Sequence, residues 1–121
     1  MSIIRVDNFG PSSGGTTYSA RGIAKSWLSL NGTGTIAIRA SLNVSSVTDY
    51  GVGSYGMSFT NAFSAADYSV TGGGDATADG FAVGLNVTLP TTTEARLSVV
   101  RGGLGVGDYS YVCWHSLGDL A

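Results

Sequence analysis

Charge is what this sequence has least of. Only 12% of its 121 residues are Asp, Glu, Lys or Arg, about half the ~25% usual in a soluble domain. Lys25 is the one lysine and Glu94 the one glutamate. The net charge is −2 with a pI near 4.9, and the five arginines are scattered rather than clustered. No cationic field is therefore available to neutralise phosphates, which argues against nucleic-acid binding. Cysteine is nearly absent too. Cys113 is single, so an intrachain disulfide is impossible, and a thiol nucleophile or thiolate metal site lacks partners. No apolar run approaches the ~20 residues that span a bilayer, and Met1–Asn8 lacks the basic start and apolar centre of a signal peptide. Membrane insertion is not expected. Helical periodicity is missing as well: no stretch places apolar residues at i, i+3, i+4 and i+7 between caps.

What the chain has in quantity is glycine, serine and threonine. There are 19 glycines and 28 Ser and Thr residues, so uncharged hydroxyls must cover the surface that Lys and Glu normally cover. With 43% apolar and 10% aromatic residues there is enough to build a core, which argues against disorder. At 12.3 kDa the chain is the size of one domain. We divide it into an N-terminal leader or attachment segment, residues 1–17, and a β-domain over residues 18–121.

Short runs rich in Val, Ile, Tyr, Phe and Thr recur between Gly, Asn and Asp clusters, which is the pattern of strands and tight turns. Ile3–Val6 is the first strand candidate. Ala24–Leu30 and Thr35–Ala40 form a hairpin about Asn31-Gly32-Thr33-Gly34, where Asn-Gly favours positive φ. Leu42 and Val44 alternate with polar neighbours, and Asp49–Gly53 turns the chain into Ser54–Thr60. Within that strand Gly56 removes a side chain, which implies a bulge or a close approach by another backbone. Tyr68–Thr71 and Phe81–Leu89 are further strands. Ala95–Arg101 and Tyr109–His115 read as a last pair around a Gly-rich loop, with Leu117–Ala121 capping a sheet edge. Seven to nine short strands without intervening helices imply antiparallel connections. The expected fold is all-β, an antiparallel, jelly-roll-like β-sandwich.

No set of residues spells a reaction. Gly102–Gly107 is glycine-rich but opens no helix and lacks the Lys-Ser/Thr ending of a phosphate loop, so a long hairpin loop is the simpler reading. Gly72-Gly73-Gly74-Asp75 with Asp79 resembles one unit of a calcium-binding repeat, yet a single copy cannot form a stacked site. Cys113 and His115 share one strand face, but no third ligand or triad member accompanies them, and a structural His beside a buried thiol is the simpler account. Asp7, Asp49, Asp75, Asp79 and Asp108 all fall in predicted turns, where Asp is ordinary. No catalytic, cofactor or metal residue is assigned. Trp27, Tyr55, Met57, Phe59 and Trp114 are candidates for a core or an oligomer interface. Tyr50, Gly72, Asp75, Gly103 and Asp108 are candidates for loops that contact a receptor.

A mean hydropathy of +0.21 with so few charges means that apolar surface should remain outside a small fold. A symmetric homo-oligomer hides such a patch on every copy.

Residues Ala24 to Asp49 then carry a resemblance. A Lys-x-Trp strand at Lys25 and Trp27, the turn Asn31–Thr35, the strand Ala37–Ala40 and the run Asn43–Ser46, with Phe59-Thr60 beyond, are similar to a module of bacteriophage and prophage tail-fibre and virion structural proteins. The similarity covers roughly a third of the chain and departs at Leu30, where an aromatic is usual. It implies a small β-rich, trimeric piece of a phage particle, here in a standalone version. The expected function is a non-enzymatic virion protein, a homotrimeric tail-fibre or tail-tip component contacting the host surface. Two other roles remain open: a capsid decoration or adaptor protein, and a carbohydrate-binding or carbohydrate-active fibre protein. The expected partners are sister copies, other tail or capsid proteins, and a host surface glycan or protein.

Overall fold

A computed structural model describes residues 2–3, 8–10, 13–16, 18–19, 23–75, 83–101 and 105–121. Ile4–Val6 of the first strand candidate, Asp79, Phe81 and Gly103 lie outside the described residues. Every described element is a strand. β1 (Asn8–Phe9) and β2 (Tyr18–Ser19) form a short antiparallel pair of their own, which bridges the expected boundary at residue 17. The main body begins with β3 (Ser26–Asn31), followed by β4 (Ala37–Leu42), β5 (Val44–Gly51) and β6 (Ser54–Phe59). β7 (Ser69–Gly74), β8 (Val83–Pro90), β9 (Glu94–Arg101), β10 (Gly105–Val106) and β11 (Val112–Leu117) complete the chain.

Two antiparallel sheets result. One runs β4-β3-β11-β7. In the other, β9 is central: β8 pairs one edge of it, β6 and β10 also pair with it, and β5 lies outside β6. The expected β-sandwich is present, and it is built largely from hairpins. β3–β4, β5–β6 and β8–β9 each stay within one sheet, whereas a jelly roll passes most successive strands to the opposite sheet.

Alternation fills the space between the sheets. Leu28, Leu30, Val112 and Trp114 point inward from one sheet, and Tyr55, Met57, Phe59, Ala95, Leu97 and Val99 from the other. Trp114 is the largest of them, and its indole Nε1–H donates to Met57 Sδ at 2.8 Å across the core. That contact gives the one polar atom of a buried indole a partner. Truncating such an aromatic to alanine costs about 3–5 kcal/mol. Ser26 and Ser116, paired across β3 and β11, are fully buried with hydroxyls that meet no partner. Each unpaired hydroxyl costs about 1–3 kcal/mol.

Both ends of the sandwich are closed by specific contacts. At one end Tyr55 Oη donates to Gly32 O (2.9 Å) and Asp108 Oδ1 (2.8 Å). The same carboxylate oxygen accepts from Gly53 N at 2.6 Å, and Gly32 N donates to Tyr109 O at 2.9 Å. At the other end Phe59, Phe63 and Tyr68 pack as an aromatic triad, with Phe63 and Tyr68 stacked at 4.2 Å. Tyr68 Oη donates to Thr91 O and Glu94 O. The C-terminal residues return here, where Leu120 bridges to Phe63 and Ala121 N donates to Ala62 O. The expected cap on a sheet edge is thus a cap on the sandwich end.

Three local expectations change. The β3–β4 hairpin forms, but its loop runs from Gly32 to Ile36 and the positive φ falls on Gly34 at 63°, not on Asn31-Gly32. Gly32 is needed for another reason: a Cβ there would sit 2.5 Å from Tyr55 Oη. Ala95–Arg101 and Tyr109–His115 are not partners, because β9 and β11 belong to opposite sheets. The chain between them pairs β10 back onto β9 before crossing over. Asn43, read as part of a strand, adopts φ 56° and turns β4 into β5.

Two outcomes test this account. Tyr55→Phe should lower stability by about 1–3 kcal/mol by leaving Gly32 O without its donor, and Gly32→Ala should cost at least as much. Urea denaturation of each variant measures both.

Burial, reinforced by Asp108, raises the Tyr55 phenol above its ordinary value. Burial, with the charge of Glu94, pushes Tyr68 up to about 12. The unfolded chain loses these protons near pH 10 while the folded chain retains them. Stability should therefore be level below about pH 10 and fall as pH rises from there toward about 12. Urea midpoints across that range, compared between wild type and Tyr55→Phe, check the sign.

Candidate functional site

Among the described residues, the outer face of the β4-β3-β11-β7 sheet carries a surface of unusual composition. Inward residues of β3 and β11 are buried, so Trp27 and Ser29 on β3, and Cys113 and His115 on β11, point outward. The register aligns them in rows across the sheet. One row reads Leu42, Trp27, His115, Thr71, and the next reads Ala40, Ser29, Cys113, Gly73. The second row consists entirely of small residues. It forms the floor of a trough that crosses four strands, roughly 14 Å at the usual strand spacing.

The first row makes one wall, in which Trp27 and Leu42 are 40% and 49% exposed. The opposite wall is made by Tyr111, which is 48% exposed. Tyr111 lies four residues from His115 along the strand, or about 13 Å between backbones. A bulge between Ser29 and Leu30 shifts the register of β4 and carries Arg39 to this wall. Its guanidinium lies 5.3 Å from the Tyr111 ring centroid, and Nη1 donates to Leu30 O at 3.2 Å. At the β7 end the surface deepens into an open depression of about 490 Å³ lined by Gly73, Gly74, Asp75, Tyr111 and Cys113. Asp75 N donates to Tyr111 O at 2.7 Å, and Asp75 Oδ2 accepts from Ser110 Oγ at 3.3 Å. A carboxylate is thereby fixed beside an aromatic ring.

A second cluster lies on the outer face of the other sheet. The Arg96 guanidinium stacks 3.8 Å from the centroid of Tyr50, whose hydroxyl donates to Glu94 Oε1 at 3.1 Å. That hydrogen bond raises the Tyr50 phenol. Gly56 is the floor beneath them. A Cβ there would meet Tyr50 Cε2 and Glu94 Oε1 at 2.6 Å, so the missing side chain makes room for side chains rather than for the expected backbone or bulge. Tyr50 thus lies between a cation on its ring and a carboxylate on its hydroxyl.

The residues anticipated as core or interface divide. Tyr55, Met57, Phe59 and Trp114 are core, while Trp27 is surface. The five receptor-loop candidates do not converge. Tyr50 ends a strand rather than occupying a loop. Gly72 sits within β7, and a Cβ there would run into the Trp114 backbone at 2.6 Å. Asp108 is tied to Tyr55 and Gly53. Gly103 lies outside the described residues. Asp75 alone enters the trough. Cys113 and His115 do share a face, but the thiol is half-buried at the surface rather than in the core.

What sequence reading missed is the trough itself, since it depends on which strands are neighbours. Among the described residues, no group of three or more His, Cys, Asp or Glu gathers as metal ligands, and no helix is long and apolar enough to cross a membrane.

The outward setting of Cys113 predicts that a disulfide reagent such as dithiobis(nitrobenzoate) titrates one thiol per folded chain without denaturant. A thiol that reacts only after unfolding would contradict the described face.

No protein-family model, curated protein or solved structure matches the chain, and the reading of its surface therefore rests on its own residues.

Proposed function

We propose that this chain is a structural, non-enzymatic protein of a phage particle, a homo-oligomeric tail-fibre or tail-tip component that meets the host surface. The observation that carries the reading is β4. All six of its residues are exposed although Ala37, Ile38, Ala40 and Leu42 are apolar, and it forms a sheet edge. Isolated proteins normally guard such an edge with charge, proline or cover. Among the described residues, Arg39 and the bulge are the guards on this edge. Ile38 is registered with inward-facing Leu30 and Leu42 with outward-facing Trp27, so the two apolar side chains flank the edge, and a contact along it, repeated around a symmetry axis, would cover both on every copy. The segment that resembles phage fibre modules supports the same reading, because it contains β4 together with β3 and the start of β5. Low charge and dense Ser and Thr suit a particle exposed outside cells, and a contact surface of this composition would be polar and wet.

Sedimentation of the wild-type protein should give an oligomer, a trimer by the resemblance, and Ile38→Lys with Leu42→Lys should give a folded monomer with an unchanged β-sheet spectrum. Mass spectrometry of purified particles should find the chain at tail copy number. A wild type that stays monomeric at micromolar concentration, or a chain absent from particles, would overturn the reading. Copy number matching the shell would move it to capsid decoration.

A further inference from the structure

We propose that the trough across the β4-β3-β11-β7 face binds a neutral oligosaccharide. This deepens the surface-contact part of the function proposed above by naming the chemistry of what is contacted.

Three features of the trough select such a ligand. The first is direction. The floor crosses the strands rather than following them, so an extended peptide lying in it would find side chains and no ladder of backbone groups to pair with. The second is the mixture of lining groups. A pyranose ring has an apolar face of C–H bonds and a rim of hydroxyls. The exposed ring of Tyr111 suits the face, while Asp75 and the hydroxyl of Ser29 suit the rim. Trp27, across the floor, offers a second apolar surface. The third is charge. Asp75 lines the depression and Arg39 stands over the Tyr111 ring beside it, so the site carries one charge of each sign and offers no excess charge to attract nucleic acids or polyanionic sugars.

Size agrees. The floor spans roughly 14 Å of strand spacings, long enough for a few linked sugar rings, and the deep end alone holds about 490 Å³.

The small floor residues are not imposed by the core. Ser29 and Cys113 point away from it, and larger outward residues could be carried at both positions without disturbing Leu28, Leu30, Val112 or Trp114. Their size shapes only the outer surface.

The test uses the full chain and a panel of neutral oligosaccharides of three to six hexose or N-acetylhexosamine units, with uronic-acid oligosaccharides as the anionic control. Binding is read by calorimetry and by tryptophan emission, since Trp27 is exposed and Trp114 is not. At least one neutral oligosaccharide should bind and shift the emission to the blue. Tyr111→Ala should weaken that binding about tenfold or more, as loss of a central aromatic contact does. Alkylation of Cys113 with N-ethylmaleimide, which places a bulky group on the trough floor, should abolish it. Oligomeric state should be unchanged in both.

Binding of none of the neutral panel, preference for the uronic acids, or full affinity after both changes would overturn the proposal. A wild type that is oligomeric and present on particles but binds no sugar overturns this inference alone. A sugar-binding monomer absent from particles upholds the trough and overturns the virion reading instead.

Discussion

The hydroxyl of Tyr55 holds the loop end of the sandwich together. It rises from the central region of one sheet and donates to the carbonyl of Gly32, in the β3–β4 loop of the other, and to Asp108, in the crossover to β11. Asp108 in turn holds Gly53 in the β5–β6 turn. One phenol and one carboxylate therefore fix three connections that are distant in sequence. In a chain with eight acidic residues and six basic ones, there are few charged side chains to share this work. The consequence is visible in the glycines: Gly32 must lack a Cβ to admit the phenol, and Gly53 must hold φ 62° with its backbone against Gly107. A hydrogen bond buried in this way is worth about 1 kcal/mol when made and more when half of it is removed. The cost of breaking it exceeds the gain of having it.

The middle and the far end follow different chemistry. Trp114 and Met57 join the sheets through size and a single N–H to sulfur contact. Phe59, Phe63 and Tyr68 close the far end by ring packing, with the Tyr68 hydroxyl anchored on two carbonyls of the β8–β9 connection. Each of these uses an aromatic with at most one polar atom and gives that atom a partner. Ser26 and Ser116 are the exception, buried face to face without one. The interior is therefore organised by aromatic residues far more than by ion pairs.

Much of this was legible in the chain. Alternation around Tyr55, Met57 and Phe59 marks β6, and the Asn31–Gly34 cluster marks the β3–β4 hairpin, because both signals are local. The failures share a cause as well. Pairing Ala95–Arg101 with Tyr109–His115 assumed that neighbours in sequence are neighbours in a sheet, and β10 breaks that rule by returning to β9 before the chain crosses over. Asp108 read as a plain turn residue because its partner, Tyr55, lies 53 positions away. Trp27 read as core or oligomer interface, and only the core half of that reading falls, since Leu28 and Leu30 set the inward phase of β3 and leave Trp27 on the other side.

The same phase explains how the candidate surface arises from the fold. Once Leu28, Leu30, Val112 and Trp114 are committed inward, the intervening positions of β3 and β11 are freed from packing, and the register alone decides which of them meet. It brings Ala40, Ser29, Cys113 and Gly73 into one line and sets Trp27 and Tyr111 on either side. No stretch of sequence contains that line, since its members are contributed by four strands, and a shift of one residue in the β3–β11 pairing would replace a small floor residue with a buried one. The Tyr55 node and the Trp114 contact hold β3 and β11 in place from beneath. The trough thus has a packed base, so the ligand proposed for it would meet backbone that need not order itself on contact.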